Sequence, residues 1–279
     1  MHTIEKIGGT SMIEYVSVRD NSVLKGGHHG LYHRAFVVSA YSGVTNELLE
    51  HKKNGKPGVY ALFANSMEDE SWMEKLEGLG HQLHAFNQQL FDQGEPLDEA
   101  NRFIDERIKS AKQCLLDLNS LCKHGHFSLG AHLATVREML AIIGEAHSAW
   151  NTAQLLQRDG VNACFIDLTG WQSSLHMSLD ERIQKAVKNV DFATQLPIVT
   201  GYAHSKAGLM SSFDRGYSEI IFSRLAVLSQ ATEAVIHKEF HLCSADPRLV
   251  GEANAVPIGR TNYDVADQLA NLGMEAIHP

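Results

Sequence analysis

The chain lacks most of the features that would place it at a glance. No apolar run approaches the ~18 residues of a membrane span. No basic segment followed by an apolar core opens it, so no secretory leader is read there. Cysteines are few and scattered: Cys114, Cys122, Cys164 and Cys243, with no C-x-x-C. They read as reduced, mostly buried thiols of a cytoplasmic protein. No Lys/Arg cluster stands out, and the net charge is −9, which argues against nucleic acid and against an anionic membrane surface as partners. Any anionic ligand must then be held by local groups. G-x-x-x-x-G-K-[ST] is absent, so there is no Walker A loop. The histidine pairs 81/84, 124/126 and 237/241 carry neither H-E-x-x-H nor neighbouring cysteines, and no metal site is expected. Internal repeats and low-complexity linkers are missing as well.

What is present is an ordinary globular composition, 44% apolar and 20% charged in 279 residues. That supports one large α/β domain or two smaller ones. The first dozen residues organise the reading. Thr3 to Ile7 alternates polar and apolar, β-branched residues and predicts a strand. Gly8-Gly9 predicts a tight turn open to an anion, and Thr10 and Ser11 are predicted to cap a helix from Met12 to about Arg19. A helix N-terminus beside Lys6 suits a phosphate, although a plain strand–turn–helix with a solvated lysine fits the same residues.

Ala35 to Ala40 predicts a buried parallel strand that runs into the small polar turn Tyr41 to Asn46. Such turns at the carboxyl ends of strands are where open α/β sheets bind ligands. From about 61 to 157 the pattern is helical, with Leu76, Leu79, Leu83 and Phe86, then Leu115, Leu118, Leu121 and Cys122, then Leu133, Val136, Leu140 and Ile143. This predicts a helical subdomain or lid inserted between strands, or else a plain helical face on the sheet. Glu145 interrupts the last apolar face. Strands are predicted at 162–167, 196–202 and 234–236, and helices at 178–190 and 261–273. The polar turn Phe213 to Glu219 opens an apolar helix, with Ser218 and Glu219 in its first turn and Arg215 able to offer a bidentate fork to a carboxylate. Ser244 to Arg248 predicts a proline-fixed turn.

In this order the pieces resemble the aspartokinase catalytic domain of the amino-acid kinase family. Lys6-Ile7-Gly8-Gly9-Thr10-Ser11 is similar to its K-F-G-G-T-S, and Val37 to Asn46 to its V-V-S-A…G-V-T-N. Gly144-Glu145 with Ser148-Ala149 resembles its G-E…S-A helix. Arg215 to Glu219 stands at its R-G-G-S-D, Asp246-Pro247-Arg248 at its D-P-R, and Gly273 to Pro279 at its G-A-K-V-L-H-P. The resemblance implies a three-layer αβα sandwich with a mainly parallel central sheet and a helical insertion. It implies ATP with Mg²⁺ and L-aspartate as ligands, and 4-phospho-L-aspartate as product. Lys6, Gly8, Gly9, Thr10, Ser244, Asp246 and Arg248 would hold ATP. Ser39, Thr45, Glu145, Arg215 and Ser218 would hold aspartate, with Lys6, Glu145, Arg215 and Glu219 catalytic.

Five positions in three stretches depart from the family. Tyr217 and Glu219 replace a glycine and an aspartate, and His237-Lys238 replaces the Thr-Asp of many members at the nucleotide rim. Glu275 replaces a lysine in the tail. The R-G-Y-S-E turn with H-K-E-F-H-L resembles the aspartokinases that accompany ectoine synthesis. The family continues past the H-P tail into a last strand and two ACT domains, which bind effectors and build a homodimer. None of these is read here, so a fragment and a protein without its allosteric half are both open. Two other functions stay open too: a sister kinase acting on glutamate or carbamate, and a binding fragment without turnover.

Overall fold

The computed structural model describes residues 1–268 apart from 26, 28–29, 52–53, 66–69, 174, 214–215, 239–242, 246, 263, 267 and the side chains of 247–248. Its centre is a sheet of five strands in the order β3-β4-β2-β1-β5, every neighbouring pair parallel. The strands are β1 (Thr3–Ile7), β2 (Arg34–Val38), β3 (Ala163–Ile166), β4 (Leu196–Thr200) and β5 (Glu233–His237). The inner strands are buried on both faces, so β2 and β4 read as mostly apolar runs, while β1 buries the polar Glu5 and Lys6. The edge strand β5 begins with two exposed residues.

Eleven helices are described: α1 (Gly9–Met12), α2 (Tyr15–Val18), α3 (Val44–Leu48), α4 (Val59–Asn65), α5 (Ser71–Leu90), α6 (Glu95–Cys122), α7 (Leu133–Arg158), α8 (Leu179–Val187), α9 (Leu209–Ser212), α10 (Tyr217–Leu228) and α11 (Pro247–Val250). They form layers on both sides of the sheet, as the expected αβα sandwich requires. One core joins Phe36, Val38 and Ile198 of the sheet to Leu140 and Ile143 of α7, Leu76 and Leu83 of α5, and Ile104 of α6. The other joins Ile4, Val37 and Val199 to Ile183 of α8 and Ile221 and Leu225 of α10.

Of the two expectations for 61–157, the structure follows the helical face on the sheet. The helices of 61–157 share the main core: α7 lies on the sheet, and α5 and α6 pack outside it. Sandwiched in this way, α7 buries residues around its whole circumference, including Ile142, Ile143, Leu155 and Leu156. The periodic leucines are mostly inside, but Leu121 is exposed. Among the cysteines, Cys122 and Cys243 are buried, Cys164 is half-buried and Cys114 is exposed. Among the described residues no helix is long and apolar enough to cross a membrane.

Capping also differs from expectation. The first helix begins at Gly9 with Gly8 as its N-cap, so Thr10 and Ser11 lie inside its first turn and cap nothing. It breaks after Met12 and resumes as α2, followed by a π-helical turn at Arg19–Val23. Arg34 stabilises that turn by donating to the Ser22 and Val23 carbonyls while its other edge pairs with Glu5. By contrast α8 has a full capping box, Ser178 with Glu181. The turn predicted at 244–248 includes the start of α11, and the predicted last helix lies largely outside the described residues.

The connections after β1 and β2 run over the α7 face, whereas those after β3 and β4 run over the α10 face. Because β2 and β4 are neighbours, their chain exits diverge and leave a crevice at their carboxyl ends.

Candidate active site

That crevice collects the predicted polar residues. Ser39 follows β2 directly, and its hydroxyl donates to Ser218 Oγ at 2.9 Å. Ser218 is buried in the first turn of α10, whose N-cap Gly216 takes the left-handed conformation. Ser148 of α7 donates to the Ser39 carbonyl at 2.8 Å and so ties α7 to the same turn.

Glu145 reaches the crevice from α7. Its Oε2 is buried without a hydrogen-bond partner, while the Ala40 N–H donates to the carboxylate. Burial pushes its pKa up to about 8, against the pull of the Ala40 N–H and the Lys6 charge. An unpaired buried acceptor of this kind is costly unless a ligand meets it, and a substrate ammonium would do so.

Lys6 lies at the end of β1, 4% exposed, with its ammonium 2.6 Å from Glu219 Oε1 on α10. Burial works against ionisation of Glu219, but the charge and hydrogen bond of Lys6, helped by Lys238, hold its pKa below the usual range. The aspartate-to-glutamate departure thus supplies the extra methylene that spans from α10 to Lys6. His237, at the end of β5, lies 2.7 Å from Glu5 Oε2 and belongs to the Glu5–Arg34 network. Burial opposes the ionisation of Glu5, but hydrogen bonds from Arg34 and His237 lower its pKa to about 2.

The Gly8-Gly9 pair plays a different part from the expected one. Neither glycine has a positive φ, and a Cβ on Gly9 would stand 2.3 Å from the Ala40 carbonyl oxygen. Gly9 therefore permits the first and second turns to touch, and Ser42 N–H donates to its carbonyl. A Cβ on Gly8 would meet only the Lys6 ammonium, at an ordinary contact distance of 3.9 Å. Thr10 is exposed on the first turn of α1, and Thr45 is half-buried as the second residue of α3. Ser244 is exposed and accepts the Val256 N–H, in a bridge between Cys243 and Pro257. Arg215, Asp246 and the Arg248 side chain lie outside the described residues.

Two contributors were not anticipated. Gly201, at the end of β4, faces Ser218 Oγ, the Val38 carbonyl and Glu145 Oε2 together, and Lys238 adds charge at Glu219. The signal for the first was a glycine ending a strand, as in the other two turns. For the second it was the lysine at a departure from the family motif.

The Glu145 shift has a testable consequence. A carboxyl whose pKa rises on folding binds its proton more tightly in the folded chain, so it favours folding at acid pH. That contribution is lost as pH climbs from the ordinary 4.5 towards 8. Glu145→Gln should therefore match the wild type in denaturant midpoint near pH 4.5 and exceed it at pH 8.5. A difference independent of pH would contradict the assignment.

The profile of the amino acid kinase family matches residues 1–279. The chain is 55% identical over 281 residues to the aspartate kinase Ask_Ect of Stutzerimonas stutzeri (strain A1501), covering 100% of this chain and 59% of that protein. It is 30% identical over 155 residues to the aspartokinase of Schizosaccharomyces pombe, covering 51% of this chain and 29% of that one. The crystal structure of E. coli aspartokinase III in complex with aspartate and ADP superposes with a TM-score of 0.70 at 18% identity. It is matched over 100% of this chain and 58% of its own, and at that identity the likeness speaks for the fold. The chain thus spans less than three-fifths of the length of these relatives. A five-stranded parallel sheet with its polar crevice at the strand ends, the turns expected from the motifs and a profile match from end to end agree: the chain belongs to the amino acid kinase family.

Proposed function

We propose that the chain catalyses ATP-dependent phosphorylation of the β-carboxylate of L-aspartate, giving 4-phospho-L-aspartate. The observation that carries this reading is the convergence of Lys6, Ser39, Glu145 and Ser218 at the ends of three adjacent strands. The relatives named as aspartate kinases support it, and the name Ask_Ect agrees with the ectoine-associated branch. On this reading residues 1–279 act as one catalytic unit that includes the helices of 61–157.

The acceptor carboxylate has an ordinary pKa near ~4 and is already ionised at neutral pH, so no general base is required. The difficulty is bringing an anion against the polyanionic end of ATP. Catalysis then consists of positioning and charge neutralisation. Lys6, desolvated beneath Gly8, would meet the transferred phosphoryl group. Gly9 and Thr10 would present the first-turn N–H groups of α1 to the phosphates. Mg²⁺ would arrive on those phosphates, as is usual for this ion, and neutralise their charge. Ser39, Ser218 and Thr45 would orient the aspartate, Glu145 would take its ammonium, and Arg215 would grip its α-carboxylate. Ser244, Asp246 and Arg248 would lie along the nucleotide.

Acceptor dependence of ADP release tests the reading. With Mg-ATP, L-aspartate should stimulate ADP formation at least about 100-fold over L-glutamate, because a longer side chain places its carboxylate off the line of attack. Equal stimulation by glutamate would favour the sister-kinase reading.

A further inference from the structure

A second polar site lies at the carboxyl end of β3 and shares no residue with the Lys6 group. Here residues of the loop after β3 and the helix α8 border an open pocket of ≈ 350 Å³, lined among others by Asp167, Trp171, Leu175, Met177, Arg182 and Lys185. Arg182 is 8% exposed, and among the described residues it pairs with no carboxylate. Its Nη2 donates to the Leu175 carbonyl at 3.1 Å and to His204 Nδ1 at 3.2 Å, while its Nε has no partner. Burial and the neighbouring Arg182 charge lower the His204 pKa, so that ring stays a neutral acceptor and compensates nothing.

The acid beside the cavity is already committed. Asp167 accepts from Arg107 Nη2 at 2.6 Å and from both the N–H and the hydroxyl of Thr169. Arg107 in turn lies over the Trp171 ring, 5.1 Å from its centroid, and so fixes that wall. Lys185 stands one turn beyond Arg182 on the same face of α8. Asp167 acts on the Arg182 guanidinium through its charge but makes no direct pair with it, so the Nε of this mostly buried cation is left able to attract an anion. Asp167 is neutralised by Arg107, which leaves Arg182 and Lys185 as the two cations of the lining. Two cations suit an anion, and the Trp171, Leu175 and Met177 walls suit one with an apolar body better than a fully hydrated phosphate.

We propose that this cavity binds a small monocarboxylate, with its acid group on Arg182 and Lys185 and its apolar body against Trp171, Leu175 and Met177. The planar guanidinium matches a carboxylate in shape as well as in charge.

Ligand-detected NMR titration of the full chain tests this, with phenylacetate, its neutral isostere phenylacetamide and inorganic phosphate as probes. Phenylacetate should bind at one site with a Kd of about 1 mM or below, as its size permits, and phenylacetamide at least about tenfold more weakly. Arg182→Gln should abolish binding. Because Arg182 also holds Leu175 and His204, the exposed substitution Lys185→Gln is the decisive variant, with an expected loss of about fivefold. Lys6→Ala should leave phenylacetate binding unchanged, which separates this site from the kinase reading. Equal binding of acid and amide, wild-type affinity in Lys185→Gln, or phosphate binding more tightly than phenylacetate would each overturn the proposal.

Discussion

Lys6→Ala is expected to lower kcat for aspartate phosphorylation by about 1,000-fold while changing KM for L-aspartate by less than about threefold. The reason is where the charge sits. The Lys6 ammonium is buried at the end of β1 beside Gly8, and its carboxylate partner Glu219 comes from a different element. A desolvated, fixed cation stabilises charge on a transferred phosphoryl group far more than a mobile surface lysine would. Aspartate itself is held by other groups, so its binding should survive. The substitution also strands the Glu219 carboxylate, and loss of stability must be separated from loss of chemistry. The double variant Lys6→Ala/Glu219→Gln removes both charges. It should recover most of the denaturant midpoint lost by Lys6→Ala but none of the turnover. Recovery of turnover with stability would mean that Lys6 is only a structural partner of Glu219.

Gly201→Ala should have the second largest effect, and it should strike stability and activity together. A Cβ at this position would lie 2.6 Å from Ser218 Oγ, 2.6 Å from the Val38 carbonyl oxygen and 2.8 Å from Glu145 Oε2. The serine hydroxyl can rotate away. The Val38 carbonyl belongs to β2 and accepts the Gly201 N–H, so it cannot. Relief requires β4 to separate from β2 or α7 and α10 to back off, at a cost of about 1–3 kcal/mol or more. Displacing Ser218 and Glu145 by even ~1 Å should reduce kcat/KM for aspartate about 100-fold. Gly78→Ala is the contrast: it lies within α5 with nothing near its missing Cβ. That change should stabilise the fold by about 0.5–1 kcal/mol and leave kinetics untouched. Equal behaviour of the two variants in chemical denaturation would contradict the close-packed crevice.

The contrast also indicates what the sequence made legible. The β2 and β4 strands announce themselves as short apolar runs and β1 by its alternation and β-branched residues, and the turns after them are rich in glycine and hydroxyls. Lys6 could be named from the first of those turns, whereas Ser39, Glu145 and Ser218 were named as ligands only through the resemblance to the family. The role of the helices of 61–157 could not be read in this way. Periodicity reports that a face of α7 is apolar, but not that the sheet covers one side and α5 and α6 the other. The hydroxyls of Thr10 and Ser11 suggested caps, yet the helix starts at Gly9 with Gly8 as its N-cap, two residues too early for Thr10 and three for Ser11. Gly201 was inconspicuous because its importance lies in three atoms from distant parts of the chain. The Lys6–Glu219 pair, 213 residues apart, was foreshadowed only by a glutamate where an aspartate was expected.

The measurement that bears most directly on the central claim is trapping of the acyl phosphate. The chain is incubated with Mg-ATP, L-aspartate and hydroxylamine, and the hydroxamate is identified by mass spectrometry, beside reactions with L-glutamate and with Lys6→Ala. The account predicts β-aspartyl hydroxamate from the wild type with L-aspartate, little from L-glutamate and almost none from Lys6→Ala. A folded chain that binds ATP yet forms no aspartyl hydroxamate, or forms as much without Lys6, would contradict it.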